Sequence, residues 1–484
     1  MFTKERENII KGATDMSVVI AGKFKSAIVL AGAIGLTFGS VGAIGALTAE
    51  EKASIGLEGT TLTPSGAIRA GNAEGTIPEW KNEPIVPPSD FTVGEFHTDP
   101  FRDDKVQFTI NAQNFKDYAD KLTVGQIQMF QTYPDYFMNV YPTRRSAVYP
   151  KYIYDSAEKN LDRSEIVLAD MNMGIVGFKG SRKAWAFPIP HNGNEAWMNQ
   201  SSRPINPWME SWETTLAITS TGDYVVNKLS IQQHQKWSDP DIADEDFNPE
   251  DPSLLYYQTL TAPAKLAGQV VLAIDPATFT KVFRRAWAYS PGQRRVKRAP
   301  QIVYDNPLTA SDGLATTDQK WGFNGPNDRF SYKLLGKKEV YVPYNGYKLL
   351  AKDATPDKII NESGRLNQDY SRYELHRVWA VEATLKEGTN HDYGKRVFYL
   401  DEDSWWIMLV DGYDRRDQIW RYWESHDVVW YDKGFVHAAA EFQYDMQAGR
   451  MIALLLDKNR APDFTWRNDD NYFTPASVRR NGIR

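Results

Sequence analysis

The alternation of apolar and polar positions is clearest in the C-terminal third of the chain. Along 372–385, Arg377, Trp379, Val381, Ala383 and Leu385 share one face of an extended segment, and His376, Val378, Ala380 and Glu382 share the other. That is the two-residue period of a strand. Segments 395–400, 404–410, 418–431, 434–444 and 450–457 follow, separated by the turn-forming stretches 386–394, 401–403, 411–417 and 432–434. Connections this short join antiparallel neighbours, so the pattern predicts a meander. Upstream, 212–220, 223–236, 254–261, 268–274 and 280–289 read as further strands, bounded by turn signals such as Thr221-Gly222-Asp223, Asp275-Pro276 and Ser290-Pro291-Gly292.

Helical spacing is confined to the region before these strands. Phe115, Tyr118, Ala119 and Leu122 recur on one side of a helix over 111–122. Thr123-Val124-Gly125-Gln126 has the form of a capping box and opens a second helix to about Gln131. A third is expected over 156–162. Residues 50–110, rich in Gly, Pro and Thr, read as an irregular N-terminal arm. Stretches 239–252 and 313–327 read as loops. The expected fold is mainly β (α+β): one large curved antiparallel sheet or incomplete β-barrel, with a few helices as a lid. The expected division is a leader over 1–49, the arm over 50–110 and a single β-rich domain over 111–484 with short helices near 111–162.

Composition supports that picture and adds a compartment. The chain has 15 Trp, 25 Tyr and 22 Phe, residues that favour strands and also line apolar clefts. Residues 23–49 run from Lys23 and Lys25 through an apolar, small-residue stretch to Thr48-Ala49, followed by Glu50-Glu51-Lys52. This is the layout of an export signal, with Met16 as an alternative start. The same run is just long enough for a retained membrane anchor, although five glycines (Gly32, Gly35, Gly39, Gly42, Gly45) make it a poor helix. There is no cysteine, hence no disulfide and no lipid attachment site. A periplasmic protein held together by its core is expected. The leader carries five Lys/Arg and three Asp/Glu, so the remainder has a net charge of −8 against −6 for the whole chain. That balance argues against a nucleic-acid partner.

Candidate chemistry is sparse. No Gly-x-Ser-x-Gly elbow, His-Glu-x-x-His or glycine-rich phosphate loop is present, so no enzyme activity, cofactor or metal is expected. His437 and Glu441 are four apart and, with Asp445, are the residues a hydrolase or lyase acting on envelope polymers would use. Asp239, Asp241, Asp244, Glu245 and Asp246 have the ligand type of a calcium loop but lack its central glycine, and a solvated acidic loop is the expectation. Arg294, Arg295, Lys297 and Arg298 follow a turn. They are candidates for contacts with an acidic headgroup or a partner, or for charges that protect a sheet edge.

Several blocks resemble one family. They are Leu62-Thr63-Pro64-Ser65-Gly66-Ala67-Ile68-Arg69-Ala70-Gly71-Asn72, Gly75-Thr76-Ile77-Pro78-Glu79-Trp80, Pro263-Ala264-Lys265-Leu266-Ala267-Gly268, Tyr289-Ser290-Pro291-Gly292-Gln293-Arg294-Arg295-Val296 and 405–420. Together they are similar to the domain-of-unknown-function family 1329, the outer-membrane lipoprotein-sorting-like proteins. The resemblance implies the fold of the lipoprotein-sorting (Lol) carriers, an incomplete antiparallel barrel with a helical lid and a concave apolar face for acyl chains. It also implies partners among outer-membrane proteins and efflux-type exporters. The chain departs from a lipoprotein receptor in lacking a lipidated cysteine, and it is far longer than a bare carrier.

The expected function is therefore a periplasmic carrier of a hydrophobic small molecule or lipid. Trp287, Trp379, Trp406, Trp420 and Tyr422 are the candidate cavity residues. The rivals are the hydrolase or lyase and a structural subunit of an outer-membrane export complex. An open apolar face on the sheet favours the carrier; a face solidly packed with side chains excludes it.

Overall fold

Strands are the dominant regular structure of the chain, and nearly all of them join one sheet. The computed structural model describes residues 46–170, 175–248 and 250–482. The expected leader, up to residue 45, lies outside the described residues. Among those described, no helix is long and apolar enough to cross a membrane. The strands are β1 (Phe108–Asn111), β2 (Phe137–Val140), β3 (Glu165–Asp170), β4 (Ile175–Lys179), β5 (Trp208–Ile218) and β6 (Tyr224–Gln235). They continue with β7 (Pro252–Ala262), β8 (Val270–Pro276), β9 (Arg285–Ser290), β10 (Arg295–Arg298), β11 (Phe330–Pro343) and β12 (Tyr373–Leu385). The last five are β13 (Lys395–Asp401), β14 (Ile407–Tyr413), β15 (Ile419–Trp430), β16 (Phe435–Asp445) and β17 (Arg450–Leu456).

Fifteen strands form a single, unclosed sheet in the order β1-β2-β12-β13-β14-β15-β16-β17-β5-β6-β7-β8-β9-β10, with β11 paired to β12. Strands β3 and β4 make a separate hairpin. All pairings in the large sheet are antiparallel except a single parallel bridge, Tyr373 to Val140. The chain is thus mainly β, and the two meanders expected from the alternation are joined where β17 lies against β5.

One row of cross-strand partners defines a continuous face: Phe398–Val410, Val410–Trp423, Trp423–Gln443, Gln443–Ile452 and Ile452–Ala217. By alternation the same face carries Glu213 and Leu229 and, further on, Gln258, Val271, Ala273 and Ala288. We call it the roofed face. Covering it are residues 301–324, the helix Gly193–Ser201 and part of the N-terminal arm. Trp197 of that helix packs against Phe323, Tyr332 and Phe398 with ring centroids 4.5 to 4.8 Å apart. The opposite face carries Tyr422 and Tyr444 and is covered by the helix Val124–Thr132, whose expected capping box, Thr123 with Gln126, is present. A Cβ on Gly125 would stand 2.4 Å from Asp411 Oδ1 and 2.5 Å from the Tyr422 ring, so only glycine lets this helix seat.

Several element expectations change. Asn111 ends β1, and the helical turn after it is the 3₁₀ segment Phe115–Lys121. The third helix is longer than expected, Lys151–Arg163. Ser404–Trp406 is a turn, because Asp401 Oδ2 accepts both the Ser404 N–H (2.9 Å) and its hydroxyl (2.7 Å). The strand expected from 280 begins at Arg285. The acidic stretch 239–252 is not simply solvated. Asp239 is buried on His234 (2.7 Å) and Trp208 (3.1 Å), and Asp244 pairs with Arg163 (2.8 Å) and Lys183 (3.1 Å).

The arm is ordered by a buried ion network. Arg145 forks onto Asp403 (2.7 and 2.9 Å) and reaches Glu402 (3.2 Å), and its other nitrogen donates to the carbonyls of Ile68 (2.8 Å), Arg69 (3.2 Å) and Pro78 (3.4 Å). Glu402 also accepts the Ile68 N–H (3.2 Å), Lys337 (2.9 Å) and Arg377 (3.3 Å). Trp405 Nε1 donates to the Ser65 carbonyl at 2.8 Å. Gly66 has φ +82°, and a Cβ there would lie 1.7 Å from the Pro188 carbonyl oxygen. The block 62–72 is therefore a docking strip for this network.

Removing one member of a buried, bidentate pair leaves an uncompensated charge, at a cost of about 3–5 kcal/mol. Arg145→Met is expected to lower the urea midpoint by a corresponding amount and to expose 56–107 to limited proteolysis under native conditions. Wild-type protection of that segment in the variant would show that the arm is held by other contacts.

Candidate functional site

Space remains on the roofed face where its side chains are small. On β8 and β9 the residues facing the roof are Val271, Ala273, Ala286 and Ala288, and those facing the other way include Leu272, Trp287 and Tyr289, packed on a second cluster with Leu255, Tyr257, Phe473 and Val478. The connection from β10 to β11 crosses above the small residues. Between them lies a cavity of about 330 Å³. Its apolar wall includes Leu254, Leu260, Val271, Ala273, Ile302 and Leu308, and Trp321 stands at its margin. No lining residue comes from the helices near 111–162; the cover is this long connection.

The polar groups of the cavity are already neutralised. Arg284 is held by Asp275 through two hydrogen bonds (2.8 and 2.6 Å) and by Asn324 Oδ1 (2.5 Å). Burial works to pull its guanidinium down, and the Asp275 charge outweighs it, holding the group above its ordinary value. Lys320 contacts Glu213 at 2.5 Å. The remaining polar lining is mainly amide and hydroxyl: Gln258, Gln269, Gln301, Asn306 and Thr309. Such a site is suited to an uncharged or apolar moiety, because a bare charge there would lose its hydration without a partner.

Behind the wall made by Lys320 and Trp321 sits a second set of titratable groups. Glu213, Lys320, His437 and Glu441 line one small void of about 20 Å³. Burial pushes Glu441 up to about 8 and Asp427 up to about 7, while it pulls His437 down to about 4. Glu441 and His437 are thus both neutral at pH 7, beside the Glu213–Lys320 contact. Asp445 is elsewhere, bonded to Trp420 (3.0 Å) and Arg421 (3.2 Å). The His437, Glu441 and Asp445 set expected for a hydrolase is therefore split, and its first two members are buried in the core.

None of the five aromatic candidates lines the cavity. Trp287 faces away from it, paired with Leu272. Trp379 stacks on Trp405 at 5.7 Å beneath the arm, with the Lys337 ammonium 4.7 Å from its ring. Trp406 is buried under the Arg203 guanidinium at 4.3 Å and 5.7 Å from His437. Trp420 donates to Asp445, and Arg421 stacks on its ring at 3.9 Å. Tyr422 is buried and donates to Glu424 at 3.1 Å. Over β12 to β16 the roofed face is solidly packed; over β7 to β9 it is open. Arg294, Arg295, Lys297 and Arg298 are exposed on the terminal strand and the turn before it. The sequence signal for the cavity was the alternation of small with bulky residues along 271–289.

Comparison with known proteins places the chain. The model of the family described as "Protein of unknown function (DUF1329)" matches residues 109–479. An uncharacterized protein of Pseudomonas aeruginosa is 39% identical over 463 residues, covering 94% of this chain and 98% of that one. Among solved structures, a DUF1329 family protein of Desulfovibrio piger aligns with a TM-score of 0.40 and 14% identity over 58% of this chain and 95% of that one. A LolA superfamily protein of Nitrosomonas europaea aligns with a TM-score of 0.36 and 10% identity, covering 59% and 98% respectively.

Glu441 makes a pH dependence that can be read separately. Its folded pKa lies above the ordinary carboxylate range, so the native state keeps a proton that the unfolded chain has released. Stability is present at low pH and falls as pH rises towards about 8. His437 acts oppositely in a lower window: native neutrality is lost as pH falls towards about 4. Glu441→Gln removes only the first effect. The stability of the variant relative to wild type is expected to rise between pH 5 and pH 8 by about 1 kcal/mol or more, measured by denaturant titration at each pH. A difference independent of pH would place Glu441 in contact with water.

Proposed function

The chain belongs to the DUF1329 family, and we propose that it binds an apolar or single-chain amphiphilic ligand non-covalently and carries it between envelope partners. The observation that supports this is the cavity on the roofed face, apolar over most of its wall, with its two cations compensated by Asp275 and Glu213. Its volume of about 330 Å³ is at the small end of the ~300–1,000 Å³ typical of ligand pockets. That is the space of about ten waters at ~30 Å³ each, room for one chain or ring system rather than several acyl chains. Burial of each methylene is worth ~0.8 kcal/mol, so about ten of them offset much of the cost of immobilising a ligand.

The export-like pattern over 23–49 supports a periplasmic setting, and the missing cysteine supports a protein that is not lipidated. Cargo would enter beneath the 299–329 connection, and its polar end would meet amides rather than a bare charge. The reading carries no catalytic step.

The test is mass spectrometry of organic extracts from protein purified out of its native periplasm, beside Ala288→Trp, which fills the cavity from the roofed face. Wild type is expected to yield a stoichiometric small hydrophobic compound, reduced at least about tenfold in the variant with the melting midpoint unchanged. No compound above an unrelated control protein, or equal recovery from the variant, would sink the proposal.

A further inference from the structure

From Pro276 to Tyr304 the sequence has seven Lys/Arg and no Asp or Glu, in a chain whose net charge is −6. Two of the seven are spoken for: Arg284 by Asp275 (2.6 Å) and Lys281 by Glu250 (2.6 Å). Arg285, Arg294, Arg295, Lys297 and Arg298 have no carboxylate partner among the described residues. The last four are exposed. They sit on the terminal strand of the sheet and on the turn leading into it, with Arg295 opposite Ser290 and Lys297 opposite Ala288. Ala288 lines the cavity, so the cations stand one strand from its wall. Phe283, beside them in sequence, is 40% exposed.

We infer that this basic edge, β9 and β10 with Phe283, docks on an anionic lipid surface. Uncompensated cations clustered on one edge of an otherwise acidic protein orient it towards a negative surface, and the exposed Phe283 ring on the connection into β9 is of the type buried at a bilayer interface. A strand from a protein partner is disfavoured there, since Lys and Arg along an edge oppose strand addition. The cavity wall would then face the membrane, shortening the path of an apolar ligand through water. That purpose rests on the carrier reading; the binding itself does not, so vesicle binding and ligand recovery fail separately.

The experiment is sedimentation of the full chain with vesicles of phosphatidylcholine alone or mixed with phosphatidylglycerol, at low and high ionic strength, with soluble polyglutamate as a competitor lacking a bilayer. Binding is expected only to the mixed vesicles, and it should weaken with salt. The variant Arg295→Gln/Lys297→Gln/Arg298→Gln is expected to lose more than about tenfold in affinity, at roughly fivefold per cation near a charged surface. A control with the same change in net charge, Lys105→Gln/Lys116→Gln/Lys159→Gln, is expected to bind as wild type. Equal binding to neutral vesicles, equal loss in the control, or tight binding to polyglutamate with none to vesicles would overturn the proposal, the last in favour of an acidic protein partner.

Discussion

A guanidinium buried between two carboxylates and three backbone carbonyls is the constraint on which the arrangement of this protein depends. Arg145 is 77 residues from Ile68 and 258 from Asp403, so one side chain ties the N-terminal arm, the segment between β2 and the helix Lys151–Arg163, and the β13–β14 turn. In a low-dielectric setting such a network is satisfied together or not at all. Each carbonyl to which Arg145 donates also fixes the path of the arm, which must turn at Gly66 and lay Ser65 over Trp405. Once the arm is down, Trp379 and Trp405 are covered and that end of the roofed face is closed.

The sheet consequently has two halves with different uses. Across β12 to β16, large side chains fill the roofed face: Phe398, Val410 and Trp423 stand in one row, with Phe398 against Trp197 and Trp423 beside Leu308, Ala315 and Gln319 of the β10–β11 connection. Across β7 to β9 the row contains Val271, Ala273 and Ala288, and the space they leave is the cavity. Charge is divided along the same line. In the cavity, Arg284 and Lys320 each have a carboxylate partner; at the β10 edge the cations are not matched. The interior arrangement suits neutral matter, and the edge suits contact with something negative.

Most strands were legible because their alternation is strong and their turns short. β11 was missed, since Lys333, Gly336, Lys337 and Lys338 break its pattern; Gly336 has φ +96° and marks a register shift against β12. The short helix Gly193–Ser201 was missed because most of its residues are buried, polar ones included, which erases the helical stripe. The aromatic-rich segments read as cavity walls turned out to be filled: Tyr422 is sealed by Gly125 and Trp406 by Arg203, contacts across hundreds of residues that no local pattern carries. Trp287 shows the simplest reason for a miss, a period-two alternation whose direction relative to the cavity depends on which face receives the roof. The acidic groups of 239–246 likewise find partners, His234 and Arg163, that lie outside the segment.

The connection over the cavity leaves β10, the last strand in the spatial order, and returns at β11, which lies against β12 near the other end. It is a tie-beam across an open trough. A barrel resists spreading by closing its hydrogen-bonded ring; here a single covalent span does that work, and the span itself supplies Ile302, Leu308 and Trp321 to the cavity. Any widening between the two ends of the sheet must therefore lengthen or lift the cover. Arg298 ends β10 and Ala299 begins the span, so a pull on the charged edge is delivered to the cover through one peptide bond. The charged edge and the cover of the cavity are thus consecutive stretches of one chain.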